Sequence, residues 1–361
     1  MRMIASLALL LISTGIARAE IVRSPTNWRV DPAPFRTDKD ANTSISGAAC
    51  ATGTSTCLVV NDETRFAQFF TLGTGTISPG AVIGLLPKKV DGARMKELDA
   101  EGAAYVPPST PGAPGHFYVT GSHGASRENG VQPSRFFLLR FPVDAATGLP
   151  TFAFGPGDPP REIQQTSALR AALARLPEIG TYAKKPLDEN GLTVEGFAIL
   201  DGEALFGLRA PCIGGRAFVV RAPLDPLFSG APVTARTSSL AMGDNTGIRD
   251  LAAVQGGVLI LTGRSNDARR GKTYSCERPV SDTANDAMAG VPDAKVWLWS
   301  GKDADAPLLL GALPGVSTGM KAEGLLVLAE DAAGYRILVW FDGPPDGGPL
   351  EFTVTRPAAG K

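Results

Sequence analysis

The stretch "TVEGFAILDGEALFGLRAP" (193–211) contains two short apolar runs joined by a turn, and the first run follows a glutamate and a glycine. The same Glu-Gly string precedes an apolar run in "DAEGAAYV" (99–106) and in "KAEGLLVL" (321–328). Weaker copies are "SISGAACA" (44–51) and "GIRDLAAV" (247–254). The chain therefore carries an internal repeat with five recognisable copies.

Each copy is followed by further apolar runs that are short, β-branched and bounded by Gly and Pro, as in strands. A second and a third run follow every copy, and fourth runs are visible in "GAVIGLLP" (80–87) and "PLLLGALP" (307–314). Units of four strands at intervals of about 40 to 50 residues are typical of β-propeller blades. We predict an all-β fold, a β-propeller with five blades, and leave open a sixth blade between residues 152 and 190.

The interval from 152 to 190 is the longest between two copies, and its pattern differs from that of the strands. In "REIQQTSALRAALARLP" (161–177), Ile163, Leu169, Leu173 and Leu176 fall near one face of a helix. We therefore predict a helical insertion around 161–177. A second insertion is predicted over 265–293, and the N-terminal run from 21 to 30 is predicted to pair with the last blade and close the ring.

The first nineteen residues have the pattern of a secretory signal peptide, with an apolar run from 4 to 12 and small residues before Glu20. Cleavage there leaves residues 20–361 as a single domain, exported to the periplasm or secreted, and we expect a monomer. No later apolar run reaches about 18 residues, so no membrane span is predicted. Loss of Arg2 and Arg18 with the signal peptide changes the formal charge from −1 to −3. The chain also has no basic stripe that could neutralise a run of phosphates, so we do not expect nucleic acid as a partner.

Four cysteines allow three pairings, and export makes disulfide bonds reasonable. Cys50 ends one apolar run and Cys57 begins the next, which predicts a bond across two neighbouring strands. Cys212 and Cys276 are then paired by default. The alternative is four free thiols packed as small apolar residues.

In a propeller the first strand of each blade lines the central channel, so the repeat predicts acids around one axis. These acids are Glu101, Glu195, Asp250 and Glu323. Like charges in a poorly solvated channel must be neutralised, and a divalent cation such as calcium accepts oxygen ligands in loose geometry. In the alternative interpretation each acid accepts backbone N–H groups of a neighbouring blade and braces the ring.

The ends of the second strands differ from blade to blade and are predicted to point to the same face as the acids. They offer Asn61, Asp62, Ser122, His123, Arg209, Arg264 and Asp342. We predict that Arg209 and Arg264 bind an anionic small molecule, with Asn61 and Asp62 beside it, or that the two arginines are counterions of the acids. His123 is the candidate general base, or else a solvated loop residue.

The string "GVSTG" (315–319) matches the Gly-x-Ser-x-Gly pattern of hydrolases. A nucleophile elbow joins a strand to a helix, whereas this string enters a strand of the fifth repeat. We interpret the match as chance, with Ser317 kept as a distant candidate.

The segment "VEGFAILDGEALFGLRAP" resembles the signature of the domain of unknown function 3616 family, in which a Val-Glu-Gly strand precedes a Gly-Leu-Arg-x-Pro turn. The resemblance extends from about Ser44 to Arg356, and it is most specific over Gly207, Leu208 and Arg209. It implies a propeller-like fold and no established activity.

More distantly, the Glu-Gly strands are similar to those of esterase-like phytase and gluconolactonase-type propellers, in which channel acids bind calcium or another divalent ion. Glu101, Glu195 and Glu323 match that pattern, whereas Ser46 and Asp250 depart from it.

Two functions remain open from the sequence. In the first, the acids hold a divalent cation below an arginine-bearing mouth, where an anionic small molecule is bound or a phosphoester or lactone is hydrolysed. In the second, the propeller is a non-catalytic module that binds a protein or cell-envelope partner.

Overall fold

The computed structural model describes residues 19–90, 92–126, 130–265, 294–317 and 320–356, and it shows five antiparallel sheets arranged as blades around one axis. Strands are numbered along the chain and given from the axis outward. Blade 1 contains β3 (Ile45–Cys50), β4 (Thr56–Asn61), β5 (Phe66–Leu72) and β6 (Thr76–Gly84). Blade 2 contains β9 (Ala100–Val106), β10 (Gly115–Gly121), β11 (Leu138–Val143) and β12 (Gln164–Thr166).

The other three blades have the same order of strands. Blade 3 contains β13 (Thr193–Leu200), β14 (Glu203–Ala210), β15 (Arg216–Pro223) and β16 (Arg236–Ala241). Blade 4 contains β17 (Thr246–Val254), β18 (Gly257–Arg264), β19 (Lys295–Trp299) and β20 (Leu308–Ala312). Blade 5 contains β21 (Lys321–Glu330), β22 (Gly334–Asp342), β23 (Leu350–Thr355) and β1 (Ile21–Arg23).

The innermost strands contact one another in a closed circle, β3 to β9, β13, β17, β21 and back to β3. The prediction of a five-bladed propeller is confirmed. The interval that could have contained a sixth blade instead provides the fourth strand of blade 2.

The N-terminal segment closes the ring by joining two blades. Strand β1 pairs antiparallel with β23, with Ile21 opposite Val354. A further short strand, β2 (Arg29–Val30), pairs in parallel with β6 of blade 1. The predicted pairing with the last blade is thus confirmed for the first part of the segment, whereas its end belongs to blade 1.

The core is divided into five apolar clusters, one at each interface between neighbouring blades. Successive side chains of a strand point to opposite faces of the sheet. Phe69 therefore packs between blades 1 and 2, and Phe70 packs between blades 1 and 5. Both faces of a blade are buried, which explains why the strands read as continuous apolar runs rather than alternating ones.

The helical insertion predicted around 161–177 is shorter than expected. Helix α1 covers only Ala168–Leu173, because Gln164–Thr166 pairs with β11 as a strand. Leu169 and Leu173 are buried between blades 2 and 3. The remaining regular elements that the structure describes lie in loops. They are helix α2 (Leu224–Ser229), the hairpin β7 (Lys89–Val90) and β8 (Ala93–Arg94), and short 3-10 segments at Asp38–Thr43, Pro133–Phe136, Gly180–Tyr182, Leu187–Glu189 and Pro345–Gly347.

Cys50 and Cys57 form a disulfide between directly opposed residues of β3 and β4, as predicted. The predicted partner of Cys212, Cys276, lies outside the described residues. So do the signal peptide, except for Ala19, and nearly all of the predicted insertion over 265–293. Within the described part of the chain, no helix is long and apolar enough to cross a membrane.

Candidate functional site

One residue at the same point of every innermost strand is left out of the pairing with the second strand. In β3, for example, Ile45 lies opposite Asn61 and Gly47 lies opposite Val60, so the residue between them forms a β-bulge. The bulged residues of blades 1 to 5 are Ser46, Glu101, Glu195, Arg249 and Glu323. We call these five residues the axial ring.

The residue after each bulge packs against the next blade, and in four blades it is glycine. A Cβ at Gly102 would lie 2.6 Å from the Cβ of Phe197, so a side chain has no room there. In blade 4 this position is Asp250. Its buried carboxylate accepts the N–H groups of Leu251 and Leu325, both at 2.7 Å, and that of Phe197.

The prediction that Asp250 enters the channel level with the glutamates is therefore wrong. Arg249 has that position, and Asp250 braces blade 4 against its two neighbours, as the alternative interpretation proposed. Burial raises the pKa of Asp250 well above its usual range, although the backbone N–H groups oppose this effect. Its carboxyl group does not line the cavity described next.

A cavity of about 510 Å³ opens above the axial ring, within the range of small-molecule sites. Its wall carries twice as many acids as bases. The acids are Asp62, Glu63, Glu97, Asp99, Glu101, Glu195, Glu323 and Asp342. The bases are Lys96, Arg135, Arg209 and Lys321. The structure thus brings Asp62, Arg209 and the three predicted glutamates into one site.

Two arginines neutralise the half of the axial ring that belongs to blades 3 to 5. Arg209 Nη1 donates to Glu195 Oε1 at 2.9 Å. Arg249 Nη1 donates to Glu195 Oε2 at 3.0 Å and to both oxygens of Glu323 at 2.7 and 2.8 Å. Arg209 therefore lines the cavity as a counterion of Glu195. Arg249 supplies the positive charge for which the sequence had predicted a metal ion.

Two further bases are committed to acids of the cavity wall. Arg135 contacts Glu97 at 2.7 Å and Asp99 at 3.1 Å, and Lys321 contacts Asp342 at 2.8 Å. Burial opposes the shift, but the hydrogen bond and charge of Arg135 lower the pKa of Glu97, whereas burial raises that of Asp99. Of the eight cavity acids, only Asp62, Glu63 and Glu101 have no ion pair to a described residue, and Glu63 is exposed to solvent.

Asp62 and Glu101 line the cavity without an ion pair to any described residue. The Oδ1 atom of Asp62 is buried and has no hydrogen-bond partner in the part of the chain that is described. Burial, with Asp99 and Glu63 nearby, raises the pKa of Asp62 to about 8. Burial and neighbouring acids, first Asp99 and then Glu195, also raise the pKa of Glu101 well above its usual range. The half of the cavity formed by blades 1 and 2 therefore holds uncompensated carboxyl groups.

His123 does not face the cavity and is not a solvated loop residue. It is fully buried, and its ring lies between Phe136 and Phe206 at centroid distances of 6.4 and 6.3 Å. Neither ring nitrogen has a hydrogen-bond partner among the described residues, and burial lowers the pKa of His123 to about 3. The structure gives this imidazole no path to a ligand in the cavity, although its neighbours Ser122 and Gly124 line the wall.

The remaining predicted residues lie away from the cavity. Asn61 is buried beside a separate small pocket near Phe35 and Gln68. Arg264 is not among the described residues of the wall, and its carbonyl oxygen accepts a hydrogen bond from Arg249 Nη2 at 2.8 Å. Ser317 is exposed and also lies outside the wall.

Sequence reasoning missed Arg249 and Arg135 as parts of this site. Arg249 directly precedes the aspartate that was chosen, and an alignment on the apolar run after the bulge instead of on the acid would have found it. Arg135 lies in the loop between β10 and β11, outside the repeated apolar runs, so the repeat did not indicate it.

Most of the predicted metal ligands are already engaged by other groups of the protein. Within the described residues, no group of three or more His, Cys, Asp or Glu side chains is arranged to hold a metal ion. Glu195 and Glu323 are engaged by arginines, and Asp250 is engaged by backbone. The feature that fits a cation is the buried, unpartnered Oδ1 of Asp62 together with the unpaired carboxyl group of Glu101. Both residues belong to the half of the cavity formed by blades 1 and 2.

Solved structures with a similar fold share little sequence identity with this chain. A GH43 β-1,3-galactosidase with galactodeoxynojirimycin aligns with 10% identity and a TM-score of 0.46, over 92% of this chain and 94% of that chain. A luciferin-regenerating enzyme aligns with 12% identity and a TM-score of 0.37, over 88% and 92%. The allergen Mala s 1 of Malassezia sympodialis aligns with 9% identity and a TM-score of 0.37, over 91% and 82%.

No curated protein matches the chain in sequence. A family model does match, over residues 160–348, which include β13 with Glu195, β14 with Arg209, and the axial-ring residues Arg249 and Glu323. More than half of the chain is covered, and the chain therefore belongs to the family described as protein of unknown function (DUF3616).

Proposed function

We propose that this propeller is an exported small-molecule-binding protein whose cavity takes up a divalent cation, with calcium as the first candidate. Asp62 and Glu101 would hold this cation in the half of the cavity formed by blades 1 and 2. The observation that carries the proposal is that these two partly buried carboxyl groups face the cavity without a counterion among the described residues, while five other acids of the wall are paired with Arg or Lys. The eighth acid, Glu63, also has no such ion pair, but it is exposed to solvent.

The chemistry of this half of the cavity supports a hard cation. Oxygen ligands from carboxylates, hydroxyls and waters suit calcium, and Ser44, Ser46 and Ser122 line the same wall as the two acids. A bound cation would provide an acceptor for the orphaned lone pairs of Asp62 and would favour its ionised form. No aromatic side chain is found among the described residues of the wall.

An anionic small molecule is the ligand class that such a cation would recruit. The acidic wall alone repels anions, because Arg209, Arg135 and Lys321 are already paired and the fourth base, Lys96, is exposed to solvent and outnumbered by the acids. When bound, a divalent cation supplies an electrostatic anchor for a carboxylate or phosphate group and can polarise it towards attack by water. Hydrolysis of a phosphoester or lactone is the reaction that this chemistry favours, and binding without turnover uses the same residues.

Export is part of the proposal. The signal-peptide pattern of the first nineteen residues motivates it, and the Cys50–Cys57 disulfide is consistent with an oxidising compartment. Millimolar calcium outside the cytosol would also be compatible with a weak site that has few protein ligands.

The experiment uses the protein purified as residues 20–361, stripped with EDTA and titrated calorimetrically with calcium. We expect one ion bound per chain, and a loss of affinity of about tenfold or more in Asp62→Asn and in Glu101→Gln. Glu97→Gln is the matched control, because this acid lines the same cavity but is paired with Arg135. Absence of calcium binding, or equal affinity in all four proteins, would contradict the proposal.

The ligand and the reaction are addressed by a screen of phosphoesters, lactones and esters with and without calcium. Turnover that requires calcium and is lost in Glu101→Gln would establish a hydrolase. Calcium binding without any turnover would favour a binding module instead.

A further inference from the structure

One residue of the axial ring has the opposite charge from the others. In blades 2, 3 and 5 the bulged residue is a glutamate, whereas in blade 4 it is Arg249. Blade 4 lies between blades 3 and 5, so Arg249 is flanked by Glu195 and Glu323. The side chain of Arg249 is 4% exposed, which makes it as deeply buried as Glu195 and more deeply buried than Glu323.

The contacts of Arg249 resemble those of a bound cation more than those of a surface ion pair. A single nitrogen, Nη1, lies within 3.0 Å of three carboxylate oxygens from two blades. The second nitrogen, Nη2, is fixed by the carbonyl oxygen of Arg264 at 2.8 Å. The two glutamates raise the pKa of Arg249 although burial opposes this, and a guanidinium stays charged at every accessible pH.

The other half of the ring has no such residue. Glu101 is flanked by Ser46 of blade 1 and by Glu195, whose two oxygens are already bonded to Arg209 and Arg249. The ring therefore has one half with an internal cation and one half without.

We propose that Arg249 is a specificity-determining residue that takes the place of a metal ion in the half of the axial ring formed by blades 3 to 5, and so confines an exogenous divalent cation to blades 1 and 2. The inference builds on the proposed function, but it makes a prediction of its own about Glu195 and Glu323. These acids should become cation ligands when Arg249 is removed.

The test measures the melting temperature of each protein in EDTA and in calcium. In EDTA, Arg249→Met should melt below the wild type, because it strands Glu323 in a buried position. Calcium should raise the melting temperature of Arg249→Met clearly more than that of the wild type. Its affinity for the variant should be about tenfold higher than for the wild type, or a second calcium ion should bind. Arg249→Lys keeps the charge and should respond to calcium as the wild type does.

A second variant identifies the source of the gain. Arg249→Met combined with Glu323→Gln should lose the added calcium response, since the stranded carboxylate is gone. An equal calcium response in Arg249→Met and the wild type, or a gain that survives Glu323→Gln, would overturn the inference.

Glu323→Gln alone covers the case in which Arg249→Met does not fold with or without calcium. It should keep the wild-type calcium affinity, because this glutamate is already bonded to Arg249, whereas Glu101→Gln should lose it. Equal losses in these two variants would also overturn the inference. If the wild type binds no calcium while Arg249→Met does, the proposed function fails, and with it the confinement of a cation to blades 1 and 2. The replacement of a metal ion by Arg249 beside Glu195 and Glu323 then stands on its own.

Discussion

Asp62→Asn should stabilise the protein at alkaline pH when no cation is present. Burial and neighbouring acids raise the pKa of Asp62 to about 8 from an ordinary value of 3.8. Between these two values the folded protein holds a proton that the unfolded chain has released. The free energy of unfolding therefore falls as the pH rises from about 4 to about 8, and asparagine, which does not ionise, removes this loss.

The size of the effect follows from the same pKa values. One pKa unit corresponds to about 1.4 kcal/mol, so the full difference sets an upper limit of about 6 kcal/mol. The shift depends in part on the charge of neighbouring acids, first Asp99, and part of the Asp62 side chain stays exposed, so the realised difference is smaller. We expect Asp62→Asn to be more stable than the wild type by about 1 to 3 kcal/mol at pH 8.5, and by much less at pH 4.5.

Urea denaturation in EDTA at several pH values measures this difference directly. Asp342→Asn is the control, because this acid lines the same cavity but contacts Lys321 at 2.8 Å and should give no gain at alkaline pH. Calcium should reduce or reverse the advantage of Asp62→Asn, since it stabilises only the protein that binds it. A gain that is equal at pH 4.5 and pH 8.5, or no gain at all, would refute the electrostatic reasoning.

Asp250→Asn should lower the free energy of unfolding by about 2 to 4 kcal/mol, because a carboxylate that joins three blades is lost, and chemical denaturation measures this loss. Calcium affinity, measured by calorimetry, should not change. Gly102→Ala should cost about 1 to 3 kcal/mol because its Cβ would overlap the next blade, whereas Gly155→Ala, which meets no atom within 4 Å, should be nearly neutral in the same assay. Mass mapping under non-reducing conditions should recover a Cys212–Cys276 peptide pair, and free thiols at these positions would contradict the predicted export.

The propeller could be predicted from sequence because its physical requirement is repeated. Every blade is buried on both faces, so the strands appear as short apolar runs separated by Gly and Pro, and self-similarity gives the blade number. The segment 161–177 was harder to assign, because Gln164–Thr166 is a short outer strand made of polar residues. Its pairing with β11 depends on a distant partner and not on the local pattern, which by itself favoured a longer helix.

The composition of the site could be predicted only in part, and blade 4 shows the physical reason. The Glu-Gly string combines two independent requirements: a bulged side chain directed to the axis, and a small residue that lets the next blade approach. In blade 4 the second requirement is met differently, since Asp250 occupies the glycine position and bonds the neighbouring backbone.

In blade 4 the acid is Asp250, one position after the bulged residue Arg249. The sequence pattern therefore predicted a negative charge at the axis where the structure has the positive charge of Arg249. Aligning "LAAV" (251–254) with "FAIL" (197–200) places Arg249 opposite Glu195, which is the register that the bulges show. In a ring of repeats, the apolar run fixes the register because it must pack between two blades. A polar residue at the bulge is free to change sign, and such a change is where a function specific to one chain can arise.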